Sequence, residues 1–96
     1  MSTITENHTV SAKLMGGEQA GIICDLMEEL YEHVDVIDSG SYVSIETQEP
    51  ELIFDMAEIS EVMGHSYSVS NFLAILATYK GFIEVNDDNV VIRHNG

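Results

Sequence analysis

Positive charge is nearly absent from this sequence: Lys13, Lys80 and Arg93 stand against seventeen Asp and Glu, a formal net charge of −14. A surface of that sign repels phosphate backbones and anionic lipid, which argues against nucleic acid or a membrane as partner. It also opposes self-association, so a monomer is expected when the protein is free. Cys24 is the sole cysteine, which rules out a disulfide framework, an iron–sulfur cluster and a Cys-based zinc site. Its neighbours Ile22, Ile23 and Met27 mark it as a buried structural thiol. No uninterrupted apolar run approaches the ~20 residues that cross a bilayer. Met1 to Asn7 lack the apolar segment of a signal peptide, and the expected location is the cytoplasm.

Catalytic constellations are missing too. The histidines His8, His33, His65 and His94 are scattered. Glu29 with His33 and Glu61 with His65 are four apart, but each His falls at or beyond an expected helix end. A di-iron carboxylate site needs paired Glu-x-x-His motifs on bundle helices. No serine lies in a G-x-S-x-G context, and Gly16-Gly17 lacks the lysine and spacing of a phosphate loop. The pair Asp38-Ser39 is similar to the phosphopantetheine attachment site of acyl carrier proteins, which are also small and acidic. There, however, the serine opens a helix, whereas Ser39 precedes Gly40 in an expected hairpin. The chain is expected to be no enzyme and to hold no cofactor and no metal.

What is present is a folding pattern. With 96 residues and 45% apolar content, the chain can pack one domain, or two small lobes sharing a core. Residues 1–7 form an expected tail ahead of a domain over residues 8–96. Alternation of Val10, Ala12 and Leu14 predicts a strand over His8 to Leu14. Ala20, Ile23, Cys24, Met27, Leu30 and Tyr31 predict an amphipathic helix, with Asp25, Glu28, Glu29 and Glu32 as an acidic stripe. Val34 to Ile37 and Ser41 to Glu46 read as strands joined by the turn Asp38-Ser39-Gly40. A short strand over Leu52 to Phe54 follows Pro50. Asp55 is the expected N-cap, with Glu58 completing a capping box, of a helix that ends at Gly64. A further helix over 68–79 is expected, capped by Ser68 and ended by Gly81, with Val69, Phe72, Leu73 and Leu76 inward. Phe82 to Val85 and Val90 to Arg93 make a final hairpin. The fold class is α+β: strand–helix–hairpin, then helix–helix–hairpin. Two helices before a hairpin also suggest a winged helix-turn-helix, but the would-be reading helix has no cation before Lys80.

Charge is unevenly spread. From Val62 to Tyr79 there is no Asp, Glu, Lys or Arg, although these make up 21% of the chain. On the expected helix, Asn71, Ala74, Ile75 and Thr78 recur at three- and four-residue steps, forming an outward stripe without charge. A solvated helix face normally carries charge, so this stripe is either covered by the protein itself or meets a partner.

Two segments resemble the effector, or coupling, proteins of bacterial multicomponent soluble di-iron monooxygenases, of the methane, phenol, toluene and alkene or alkane types. Val34 to Ile45 is similar to that family's valine-rich strand, Asp-x-Gly turn and aromatic-bearing return strand. Phe54 to Gly64, continuing through Tyr67, Val69, Phe72-Leu73 and Gly81, is similar to its helical half. The resemblance covers roughly residues 8–93. It implies a cofactor-free regulatory component that binds the di-iron hydroxylase, alters oxygen and substrate access, and couples NADH use to hydroxylation or epoxidation. Competition or cooperation with the reductase or ferredoxin component is implied with it. It also implies that Ile75-Leu76-Ala77-Thr78-Tyr79 contacts the hydroxylase, which adds Ala77 and Tyr79 to the candidate residues. Here Ile75, Ala77 and Thr78 replace an Asn and two Ser of methane and phenol members, while Tyr79 resembles an aromatic variant. The alternative from another class is an acidic carrier or adaptor whose carboxylate stripe binds a basic partner.

Overall fold

Strict alternation makes the first strand. In the computed structural model, which describes residues 9–94, β1 (Val10–Met15) buries Val10, Ala12 and Leu14 and turns Ser11, Lys13 and Met15 the other way. The expected tail over residues 1–7 lies outside the described residues. After Gly16 and Gly17 the apolar period changes to that of a helix. α1 (Glu18–Leu30) buries Ala20, Ile23, Cys24, Leu26 and Met27. β2 (Val34–Asp38) and β3 (Tyr42–Thr47) then form the expected hairpin. Its turn is closed by the Asp38 carboxylate, which accepts the Gly40 N–H at 2.8 Å, and Gly40 takes a φ of 87°. A left-handed backbone there suits glycine.

The second half begins with β4 (Glu51–Asp55) and α2 (Met56–Met63). Asp55 caps α2 as expected, its Oδ1 accepting from the N–H groups of Ala57 and Glu58. Gly64, at φ 82°, ends it in a left-handed cap. α3 (Val69–Ile75), β5 (Leu76–Lys80), β6 (Phe82–Val85) and β7 (Asn89–Arg93) complete the chain. The strands form a four-stranded sheet of order β2-β3-β1-β5 and a three-stranded sheet of order β4-β7-β6, with every recorded pairing antiparallel. One cluster of buried side chains, from Val10 and Leu14 through Ile23, Met27, Phe54, Ile59 and Phe72 to Ile92, joins both sheets and the helices. The α+β class is as expected, and β5 of the second half joins the sheet of the first.

The expected helix over 68–79 is corrected. α3 stops at Ile75, and Leu76 to Lys80 becomes strand β5 on the free edge of β1. Helix propensity is a weak preference that tertiary context overrides. Here Thr78 and Tyr79 favour a strand, and an unpaired β1 would leave its N–H and C=O groups exposed. Leu73 is corrected with it: in a helix of two turns, Phe72 takes the core and Leu73 is 38% exposed. Gly81 ends no helix. At φ 124° it carries the chain from β5 into β6, where a Cβ would lie 2.3 Å from the Arg93 carbonyl oxygen.

Cys24 is buried, as expected. Burial, followed by the charges of Glu28, Asp25 and Asp38, pushes its thiol up to about 11. The native protein should therefore resist thiol alkylation at pH 8, whereas the urea-unfolded chain should react promptly. The sign for stability follows. An acid whose folded pKa is raised stabilises fully below its unfolded value and loses that contribution as pH climbs from about 9 towards 11. Equal alkylation rates with and without urea would contradict the buried placement.

Candidate functional site

The uncharged stretch becomes a helix and an edge strand anchored from one side. Upstream, the Ser60 hydroxyl accepts the Tyr67 N–H at 2.8 Å, and the Tyr67 hydroxyl donates to Gln19 Oε1 at 2.9 Å, tying the α2–α3 connection to α1. Burial holds the Tyr67 phenol above its ordinary range, so it remains a donor. Ser68 and Asn71 then form a reciprocal capping box. Asn71 N–H donates to Ser68 Oγ at 3.2 Å, and Asn71 Oδ1 accepts the Ser68 N–H at 3.0 Å. Phe72 is fully buried against Phe54, with ring centroids 4.6 Å apart. That contact fixes α3 on the three-stranded sheet. At Leu76 the backbone turns extended, and β5 pairs with β1.

The six candidate residues divide accordingly. Asn71 and Ala74 are exposed on α3, although the Asn71 carboxamide oxygen is already engaged in the cap. Ile75 is half-buried and packs against the core. Lys13 faces Thr78 and Leu14 faces Leu76, so Ala77 is the extra residue of a β-bulge. Thr78 lies on the outer sheet face beside Lys13. Tyr79 pairs with Ala12 and so lies on the opposite face, yet it is 42% exposed because β5 is an edge strand. The stripe inferred from helical spacing is thus not one stripe: a helix segment and a strand edge share the surface. Five of the six residues are exposed, so the other described residues do not cover this stretch.

Spacing along 68–79 missed the neighbours that the sheet brings to Thr78. Across the outer face of β1 and β3, Lys13 Nζ sits 5.9 Å from the Tyr42 ring centroid, and Met15 is opposite Tyr42. The signal was available in the alternation of Ser11, Lys13 and Met15 against the buried residues of β1.

Other candidate chemistry remains apart. Among the described residues, no group of three or more His, Cys, Asp or Glu is placed to hold a metal ion. His65 Nδ1 lies 2.9 Å from the Ser66 carbonyl oxygen, beyond the end of α2, and His33 lies past the end of α1. Ser39 sits in the hairpin turn, not at a helix start. A concavity of about 580 Å³ is bordered by Glu32, Asp35, Glu46 and Glu49, an acidic wall that offers little apolar surface to an organic cofactor. No helix among the described residues is long and apolar enough to cross a membrane.

Asp25, Glu28, Glu29 and Glu32 are all exposed. Exposed charges contribute little singly, about 0–1 kcal/mol. The variant Glu28→Gln/Glu29→Gln should therefore keep its partner affinity within about twofold by titration calorimetry. A tenfold loss, about 1.4 kcal/mol, would make α1 a docking face.

Comparisons with known proteins agree with this architecture. A search of curated proteins gave no match. Among solved structures, the chain resembles one from a phenol hydroxylase–regulatory protein complex, with a TM-score of 0.79 at 15% identity, covering 91% of this chain and 99% of that one. It also resembles regulatory protein B of soluble methane monooxygenase, with a TM-score of 0.69 at 20% identity, covering 99% of this chain and 71% of that one. At such identities the likeness speaks for the fold. The model of the MmoB/DmpM family matches residues 8–93, nearly the whole described chain, and on that match the chain belongs to the MmoB/DmpM family of monooxygenase regulatory proteins.

Proposed function

We propose that this protein is a cofactor-free regulatory component that binds the di-iron hydroxylase of a multicomponent monooxygenase through the α3–β5 segment. Bound there, it tunes access of oxygen and substrate and couples NADH use to hydroxylation or epoxidation of a small alkene, alkane or aromatic. The observation that carries this is an exposed surface without charge, Asn71 to Tyr79, in a chain of net charge −14. Interface centres are depleted in charge and enriched in aromatic residues, and Tyr79 supplies an aromatic ring there. The partner assignment draws support from the relatives, one from a phenol hydroxylase–regulatory protein complex and the other serving soluble methane monooxygenase. The carrier alternative loses its attachment point, because Ser39 does not open a helix; an intact mass equal to that of the bare chain would agree.

The test is direct binding. Titration calorimetry of the purified protein into the purified hydroxylase component from the same organism should give saturable binding with a defined stoichiometry. No detectable heat or complex at high micromolar concentrations would remove the proposal.

A further inference from the structure

The outer face of the four-stranded sheet combines exposed large apolar side chains with two lysines. Strand register sets Met15 opposite Tyr42, Ile37 opposite Ser44, and Lys13 between Ser44 and Thr78, with Lys80 opposite Ser11 on the same face. Among the described residues nothing covers it: Met15, Ile37 and Tyr42 are 46%, 49% and 44% exposed. Three large apolar side chains at that exposure on one sheet face form a patch rather than scattered single residues.

The charge on this face is divided: Lys13 and Lys80 lie on its β1–β5 side, and Glu46 and Asp35 lie on its β3–β2 side. Lys13 and Lys80 are two of the three basic residues in a chain with seventeen acidic ones. The third, Arg93, is held by Glu51 and Glu84 on the other sheet, and it keeps the Glu84 carboxyl below its ordinary range. Among the described residues neither lysine forms an ion pair; the recorded contact of Lys13 is the Tyr42 ring. Two cations without an ion pair on the β1–β5 side of an apolar patch complement a surface that presents carboxylates opposite that side. The face is also continuous with the α3–β5 segment, because Thr78 belongs to both.

We infer that the β1–β5 side of this outer sheet face is a second docking surface for the hydroxylase component, taking a region that presents carboxylates opposite Lys13 and Lys80 beside an apolar patch. The inference rests on the proposed function, since it takes the hydroxylase as partner. Met15, Ile37 and Tyr42 supply the desolvated centre, and Lys13 and Lys80 supply a basic rim on the β1–β5 side.

The experiment compares wild type, Lys13→Glu/Lys80→Glu and Lys13→Arg/Lys80→Arg as full-length proteins, titrated into the purified hydroxylase at low and high salt. All five side-chain positions named above are exposed, so unchanged circular-dichroism melting curves are expected. At low salt the charge-reversed variant should bind roughly tenfold more weakly or worse, and the gap should narrow at high salt as the charges are screened. The arginine variant should stay within about twofold, since it keeps both charges. If wild type binds and the charge-reversed variant binds equally well, this face is not a docking surface, while the proposed function stands. If wild type itself does not bind, the proposed function is what fails. A sedimenting wild-type dimer that dissociates in the charge-reversed variant would overturn the inference by assigning the face to a second copy.

Discussion

Phe72→Ala should produce the largest loss of stability of any single change considered for this protein. The ring is fully buried and packs on Phe54 at a centroid distance of 4.6 Å, so truncation leaves a cavity between α3 and the three-stranded sheet. Phenylalanine truncations in cores cost about 3–5 kcal/mol. In a domain of this size each kcal/mol shifts the melting temperature by about 4–8 °C, so a fall of roughly 15–30 °C is expected. With total stabilities of about 5–15 kcal/mol, such a change can leave the protein partly unfolded at working temperature. Leu73→Ala is the matched control. Its neighbour in sequence is 38% exposed, so truncation should move the midpoint far less. Scanning calorimetry on both variants decides the matter, and equal losses would show that Leu73 also packs in the core.

Ala74→Arg should have the largest effect on association. Ala74 is exposed on α3, on the opposite side of the chain from the Phe72 anchor, and arginine is a good helix former. Stability should therefore change by under ~0.5 kcal/mol. At the proposed interface the same substitution forces a long charged side chain into a contact that wild type would desolvate. A cost of about 2–3 kcal/mol corresponds to a dissociation constant roughly a hundredfold higher. The measurement is the calorimetric affinity for hydroxylase, read beside the melting temperature. Wild-type affinity would take α3 out of the interface, and a large fall in melting temperature would mean that Ala74 is packed.

Much of the fold was legible because most elements announce themselves by local chemistry. Alternation gave β1, helical spacing gave α1, and Asp38-Ser39-Gly40 gave the first hairpin. Asp55 and Gly64 gave both ends of α2. The failure lay at Leu76, where nothing local ends a helix: the residues that decide the matter are those of β1, sixty positions earlier, whose free edge needs a partner. Non-local pairing of that kind leaves no mark in a short window of sequence. The candidate site was legible by a different route. Absence of charge from Val62 to Tyr79 is a property of the segment whatever its secondary structure, so the exposed surface survived although the helical stripe did not. The sheet neighbours Lys13, Met15 and Tyr42 were not found, because register between β1, β3 and β5 brings them to Thr78 and spacing along one segment does not.

As proposed, this chain regulates a hydroxylase without carrying out chemistry itself. The most direct measurement is product formed per NADH consumed, with purified hydroxylase and reductase held constant while this protein is titrated in. The yield should rise with added protein and level off once the hydroxylase is saturated, and the protein alone with NADH and substrate should form no product. A yield that stays flat across the titration, with binding saturated, would contradict the account.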